Sequence, residues 1–236
     1  ARRGDDMMQA LARVTRNDDF WKDGVDPEEW WLGLHAVMIL GLIPGEGAGR
    51  LLVDIMRRMS EADDSDLQDW CAGYWPALFR NKPDTVLPAL RALSMDRDLD
   101  WYVRANAVEP IVAAAEGQDN ALLDEVLAWL AGIARDEDEE WDLRLSAAHL
   151  LIDFPRASYR PLLESLAARQ TDQDRSFSRG EIDTAYAAGK DEPEWLRFAD
   201  PWKFYSSDAI EQRQARWAQE DAGEITEFDD EDDLLL

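Results

Sequence analysis

Cysteine is nearly absent: Cys71 is the single one in 236 residues. An internal disulfide needs two thiols and a multi-cysteine zinc site needs more, so both are excluded. The lone thiol fits a reducing compartment, and the cytoplasm is the expected location. Histidine is almost as scarce. His35 and His149 are the only two, and neither has a second histidine or cysteine at metal-ligand spacing, so no metal and no cofactor is expected. Long apolar runs are missing. The stretch "HAVMILGLIPG" falls short of the roughly twenty apolar residues of a membrane span, and no secretory leader is expected. Basic residues are few: 25 Lys and Arg face 51 Asp and Glu, a net charge of -26. Such a surface repels nucleic acid and anionic membrane, whose affinity rests on Lys and Arg displacing counterions. It favours a basic protein as partner. Alternation with period two is absent too, which excludes an extended sheet.

What is present is apolar content, 46% of the residues, enough for a sizeable core. It is also repetitive. "DLDWYVRANAV", Asp98 to Val108, returns as "DEEWDLRLSAA", Asp138 to Ala148. Trp101 matches Trp141, Arg104 matches Arg144, and Ala107 matches Ala147, each forty residues on. "EEWWLGLHAVMIL" from Glu28 and "SDLQDWCAGYW" from Ser65 are further copies, with Gly33 and Gln68 in the arginine's place. Each copy precedes a second amphipathic stretch, anchored at Leu51, Val86, Leu122 and Leu162. Turn signals separate them: "PGEGAG", "RNKPD", "EGQDN" and "DFPRAS". Self-similarity at this period marks stacked helical hairpins. The expected fold is all-α: an α–α superhelix, or solenoid, of about four helical hairpins with capping helices at both ends. Pro76 and Pro110 fall inside first helices, where proline kinks or breaks the helix.

On these motifs the chain resembles HEAT-like repeat proteins of the short type found in phycobilisome-lyase relatives. That type carries an acidic loop, then Val-Arg, then Ala three residues on, here Asp98, Val103-Arg104 and Ala107, with Leu143-Arg144 and Ala147 repeating it. The overall order, including "SRGEIDTAYAAG", is also similar to an uncharacterised bacterial HEAT-like family. Some of that family end in a cysteine-rich zinc motif, which this sequence lacks. The resemblance implies a fold and no particular activity, since such repeats host many roles.

Arg104 and Arg144 lie in apolar helical stripes beside Trp101 and Trp141. A buried guanidinium without a carboxylate costs several kcal/mol. The expected partners are acids of the preceding loops, among them Asp98, Asp100, Asp138 and Glu140, clipping one helix pair to the next. Positions off the apolar stripes of the second helices, Asp54, Arg57, Arg91, Asp124, Glu125 and Glu164, are the candidate contact surface for a partner. No catalytic residue is nominated. "GEGAGR" lacks the Gly-Lys-Ser/Thr ending of a phosphate loop, and "EADDSD" and "ARDEDEE" lack the order of a calcium loop.

Three regions are expected: a repeat domain with its N-terminal cap over residues 1–190, an aromatic-rich segment and helix over 191–222, and an acidic tail over 223–236. The aromatic segment, with Trp195, Phe198, Trp202, Phe204 and Tyr205, either lies back across the solenoid or presents an exposed anchor. The tail, with Phe228 and Leu234 to Leu236, either solvates or docks on a basic or apolar groove. The expected function is a non-catalytic protein–protein scaffold or adaptor with an acidic surface, in one version an inhibitor or immunity-like protein masking a basic partner. The alternatives are a lyase or chaperone-like enzyme of the phycobilisome-lyase type, and a HEAT-like nucleic-acid enzyme, which the charge disfavours.

Overall fold

The computed structural model describes residues 2–17, 27–61, 65–116, 118–171, 175–188 and 202–221. These residues are all-helical, with no strand among them. The α-helices are α1 (Arg2–Thr15), α2 (Pro27–Leu42), α3 (Glu46–Glu61), α4 (Ser65–Ala72), α5 (Trp75–Phe79) and α6 (Leu87–Ser94). They continue with α7 (Trp101–Glu116), α8 (Asn120–Arg135), α9 (Trp141–Asp153), α10 (Arg160–Ala167), α11 (Arg179–Ala188) and α12 (Ser207–Asp221). None of the described helices is long and apolar enough to cross a membrane.

Helix pairs pack against one another, and the first helix of each pair meets the next. α2 packs on α5, α5 on α7, α7 on α9 and α9 on α11. One continuous apolar cluster runs from Leu11 in α1 to Ile182 in α11. The small residues Ala107, Ala113, Ala114, Ala147 and Ala148 are all buried, which lets neighbouring helices approach closely. α1 lies against α2 and α3, and α11 against α9 and α10. α11 begins with a reciprocal capping box: the Ser178 backbone N–H donates to Glu181 Oε2 at 2.7 Å, and the Glu181 N–H donates to Ser178 Oγ at 3.2 Å.

The two prolines behave differently. α7 runs unbroken through Pro110, packed against α3, α5, α6, α8 and α9. Pro76 sits in the first turn of α5, after a break at Gly73-Tyr74. Its missing N–H costs nothing there, because first-turn amides have no helical partner. Gly45, with φ of 104°, makes the turn between α2 and α3 in the left-handed region that favours glycine.

Lys82 is buried and holds the C-terminal end of α2. Its Nζ donates to Gly41 O at 2.8 Å, Ile43 O at 2.9 Å and Asn81 Oδ1 at 2.5 Å. The Gly41 and Ile43 carbonyls are backbone acceptors of the kind that every helix end leaves unpaired. Burial lowers the Lys82 pKa to about 8.

The C-terminal segment returns to α2. Trp202 packs against the core, and Tyr205 Oη lies 2.7 Å from His35 Nδ1. A side chain at Gly41 would collide with Leu78 and come within 2.9 Å of the Trp202 ring. Gly41→Val is therefore expected to cost about 1–3 kcal/mol through overpacking. The check is a urea melt, in which the midpoint falls and the slope stays unchanged; an unaltered midpoint would mean that Trp202 and Leu78 yield freely. Trp195, Phe198, the Phe204 side chain and the acidic tail from 223 onward lie outside what is described.

Candidate functional site

Arg104 is fully buried in α7. Its Nε donates to Ser94 O at 3.0 Å, and its Nη2 meets Glu139 Oε2 at 2.7 Å. Glu140 Oε1 lies farther, 3.5 Å from Nη1. Both Arg104 and Glu139 are almost without solvent, at 0% and 2% side-chain exposure. Burial raises the Glu139 pKa, but hydrogen bonds from Arg104 and the Glu140 N–H, with the charges of Arg104 and Arg97, outweigh it and hold the carboxyl below its ordinary range. The pair joins α7 to the loop that opens α9. Glu139 was not among the expected partners. Its trace in the sequence is that the residue forty earlier is Leu99: an acid replaces an apolar residue at one copy of a half-buried position.

The forty-residue echo extends to the contacts themselves. Arg144 Nε donates to Ala134 O at 3.2 Å, ten residues back, as Arg104 does to Ser94. Arg57 pairs with Asp96 at 2.8 Å, and Arg97 with Asp136 at 3.4 Å. The backbone N–H of Asp98 donates to Asp96 Oδ1, and that of Asp138 to Asp136 Oδ1.

The echo fails at one point, and there the expectation needs correction. Among the described residues no carboxylate lies within ion-pair distance of Arg144. The positions forty beyond Glu139 and Glu140 are Arg179 and Gly180, so the acids are not repeated. The Arg144 guanidinium instead stacks over the Trp141 ring at 5.3 Å, and Arg169 stacks on the same ring at 5.2 Å. Burial and then the Arg169 charge lower the Arg144 pKa, against the pull of Glu137 and Asp136. Among the described residues no cation stacks on Trp101, which meets Tyr102 edge-on at 5.8 Å.

The remaining nominated residues exchange roles. Asp98 and Asp138, expected to pair with the arginines, are exposed, and neither carboxylate has a partner among the described residues. Asp100 accepts from the Tyr102 N–H at 2.8 Å, and half of Glu140 remains in solvent, at 49%. The second-helix candidates are instead matched within the chain. Arg57 pairs with Asp96. Arg91 pairs with Glu125 at 2.8 Å and lies over the Trp129 ring. Asp124 pairs with Arg156 at 2.8 Å, and Glu164 with Arg160 at 2.9 Å. Of that set Asp54 stands exposed with no ion pair among the described residues. Surface pairs of this kind contribute about 0–1 kcal/mol each, yet they occupy the charges that a partner would need. The open acids lie along the loop edge formed by residues 96–100 and 136–140, two loops joined by the Arg97–Asp136 pair.

Other reactive groups are accounted for by packing. Cys71 is fully buried and its thiol is pushed up to about 12 by desolvation, so it is inert. His35, its pKa lowered by burial, stacks on Trp31 at 5.9 Å and meets Tyr205. His149 is exposed on α9 and edge-on to Phe177. Glu109, on α7, is raised to about 7 by burial and then by the charge of Asp153 on α9. No group of three or more His, Cys, Asp and Glu side chains among the described residues could hold a metal ion. Comparison with protein-family models, with curated proteins and with solved structures gives no match.

Proposed function

We propose that this chain is an acidic helical-repeat scaffold of the HEAT-like solenoid type, and that its loop edge 96–100 and 136–140 docks a basic protein. The observation that carries this is the division of charge. Five of the six second-helix candidates are paired within the chain, whereas Asp98 and Asp138, forty residues apart on adjoining loops, are exposed and their carboxylates have no partner among the described residues. Regularly spaced like charges on a rigid edge suit a partner bearing Lys or Arg at matching intervals. The solenoid reading draws support from the repeated contacts of Arg104 and Arg144 and from first helices that pack in chain order. A net charge of -26 favours a basic partner over nucleic acid or an anionic membrane.

The test uses the tagged full chain and its D98K/D138K variant, both exposed changes that leave the core alone. Proteins captured from the source cell are expected to be basic and to elute as salt rises. The variant should retain them about tenfold less strongly, since rim charges govern steering and register. Equal retention by both chains rules out this edge as the docking site.

A further inference from the structure

Arg104 and Arg144 hold the same place in successive units, yet their donors meet different fates. Each is the fourth residue of its helix, and each donates from Nε to a carbonyl ten residues back. Arg104 then spends Nη2 on the buried Glu139 carboxylate and Nη1 on Glu140. Arg144 is 4% exposed, and neither of its Nη atoms has a hydrogen-bond or ion-pair partner among the described residues. The helix openings explain the difference. α9 opens with Glu139-Glu140 ahead of Trp141, whereas α11 opens with Phe177-Ser178 ahead of Arg179. Phe177 is buried beside His149, and Ser178 is engaged by Glu181 in the capping box. The arginine of the clip is thus repeated without the acid that closes it, and a buried guanidinium with unmatched donors is unfavourable.

Positive charge is doubled at this point. Arg169 stacks on the same Trp141 ring, 5.2 Å from its centre against 5.3 Å for Arg144. The two cations are close enough for the Arg169 charge to lower the Arg144 pKa. The neighbouring acids are Glu137, which Arg169 holds at 3.2 Å while it stays 77% exposed, and Asp136, which pairs with Arg97. Gln170, next in sequence, keeps a buried Nε2 without a partner among the described residues. Donors outnumber acceptors at this end of the stack.

We infer that Arg144 and Arg169, set on Trp141, form a binding site for a carboxylate from outside the chain. The ligand takes at Arg144 the part that Glu139 takes at Arg104. A planar carboxylate matches the paired Nη donors of a guanidinium, and a monoanion is less costly to desolvate than a dianion such as sulfate. Seated beside both arginines, it also offsets their mutual repulsion. The site is independent of the acidic loop edge, which suits a base.

The experiment titrates the isotope-labelled full chain with sodium acetate near neutral pH, sodium chloride holding the ionic strength constant. The Arg144 Nε–H is hydrogen-bonded to Ala134 O, so its proton resonance persists, and through-bond correlation assigns it. That resonance is expected to shift and saturate with acetate. Arg169→Gln changes an exposed side chain and should weaken the apparent affinity about tenfold, the loss of one charge-assisted hydrogen bond. Sulfate at the same ionic strength should leave the resonance in place. A capped peptide of residues 138–142, Asp-Glu-Glu-Trp-Asp, distinguishes the source of the carboxylate. Half-saturation at least about tenfold below that of acetate assigns the site to an acid side chain of another polypeptide. A response that merely follows the peptide's carboxylate content assigns it to a small free acid. An unsaturable drift, an equal response to sulfate, or an Arg169→Gln chain that titrates like the parent overturns the inference.

Discussion

Replacing Arg104 with methionine is expected to destabilise the protein by about 3 kcal/mol, because it strips the buried Glu139 carboxylate of its hydrogen-bonded cation and leaves only the solvent-exposed Arg97, at 3.7 Å. The loss belongs to the stranded charge, not to the pair as such. The double variant R104M/E139L is therefore expected to recover most of it, since a well-packed apolar pair of similar volume is often neutral or stabilising. Leucine is the natural choice at 139, because Leu99 occupies the corresponding position forty residues earlier. The deficit of R104M also depends on pH. In the parent chain the Glu139 pKa is lowered, so its contribution is present above the ordinary carboxylate range and lost as pH falls through its folded value. In R104M burial dominates and the carboxyl gains stability by taking up a proton. The gap between the two chains should narrow from pH 7 toward pH 4, as read from urea midpoints at each pH. A gap that stays constant, or a double variant as unstable as R104M, would show that Glu139 carries no stranded charge.

Glu109→Gln is expected to stabilise the protein at pH 8 by up to about 3 kcal/mol, following a difference of about 2.5 pH units in proton affinity. Glu109 titrates near 7 in the folded chain against an ordinary 4.5. Between those values the native state holds a proton that the unfolded state has lost, so its contribution is full below pH 4.5 and disappears as pH rises through 7. Glutamine imitates the protonated acid at every pH. The two chains should be equally stable near pH 4.5 and diverge as pH rises, while the remaining acids contribute alike to both. Thermal unfolding across pH 4.5 to 8 measures this. Parallel curves would place Glu109 in solvent and away from Asp153.

Helices, their pairing and the repeat were legible in the residues alone. Apolar spacing of three and four is a local property, and Leu52, Ile55, Met56 and Met59 disclose the buried face of α3 without knowledge of its neighbours. Arg104 at the centre of a stripe signalled a buried cation for the same reason. The copies around Trp101 and Trp141 carried the forty-residue interval, which the structure reproduces in hydrogen bonds as well as letters.

Composition, periodicity and the repeat were thus determined by the sequence, because each is a property of neighbours along the chain. Charge pairing was decided only by the tertiary structure. With 51 acids available, no spacing rule says which one lies at 2.7 Å from Arg104, and Coulomb attraction between candidates several ångströms apart differs too little to choose. Partners such as Arg91 and Glu125 or Arg156 and Asp124 stand 34 and 32 residues apart. Tyr205 meets His35 across 170 positions. Those distances follow from how the helices stack, and that stacking is what leaves Asp98 and Asp138 open while it pairs Arg57, Arg91, Asp124 and Glu125 of the second helices.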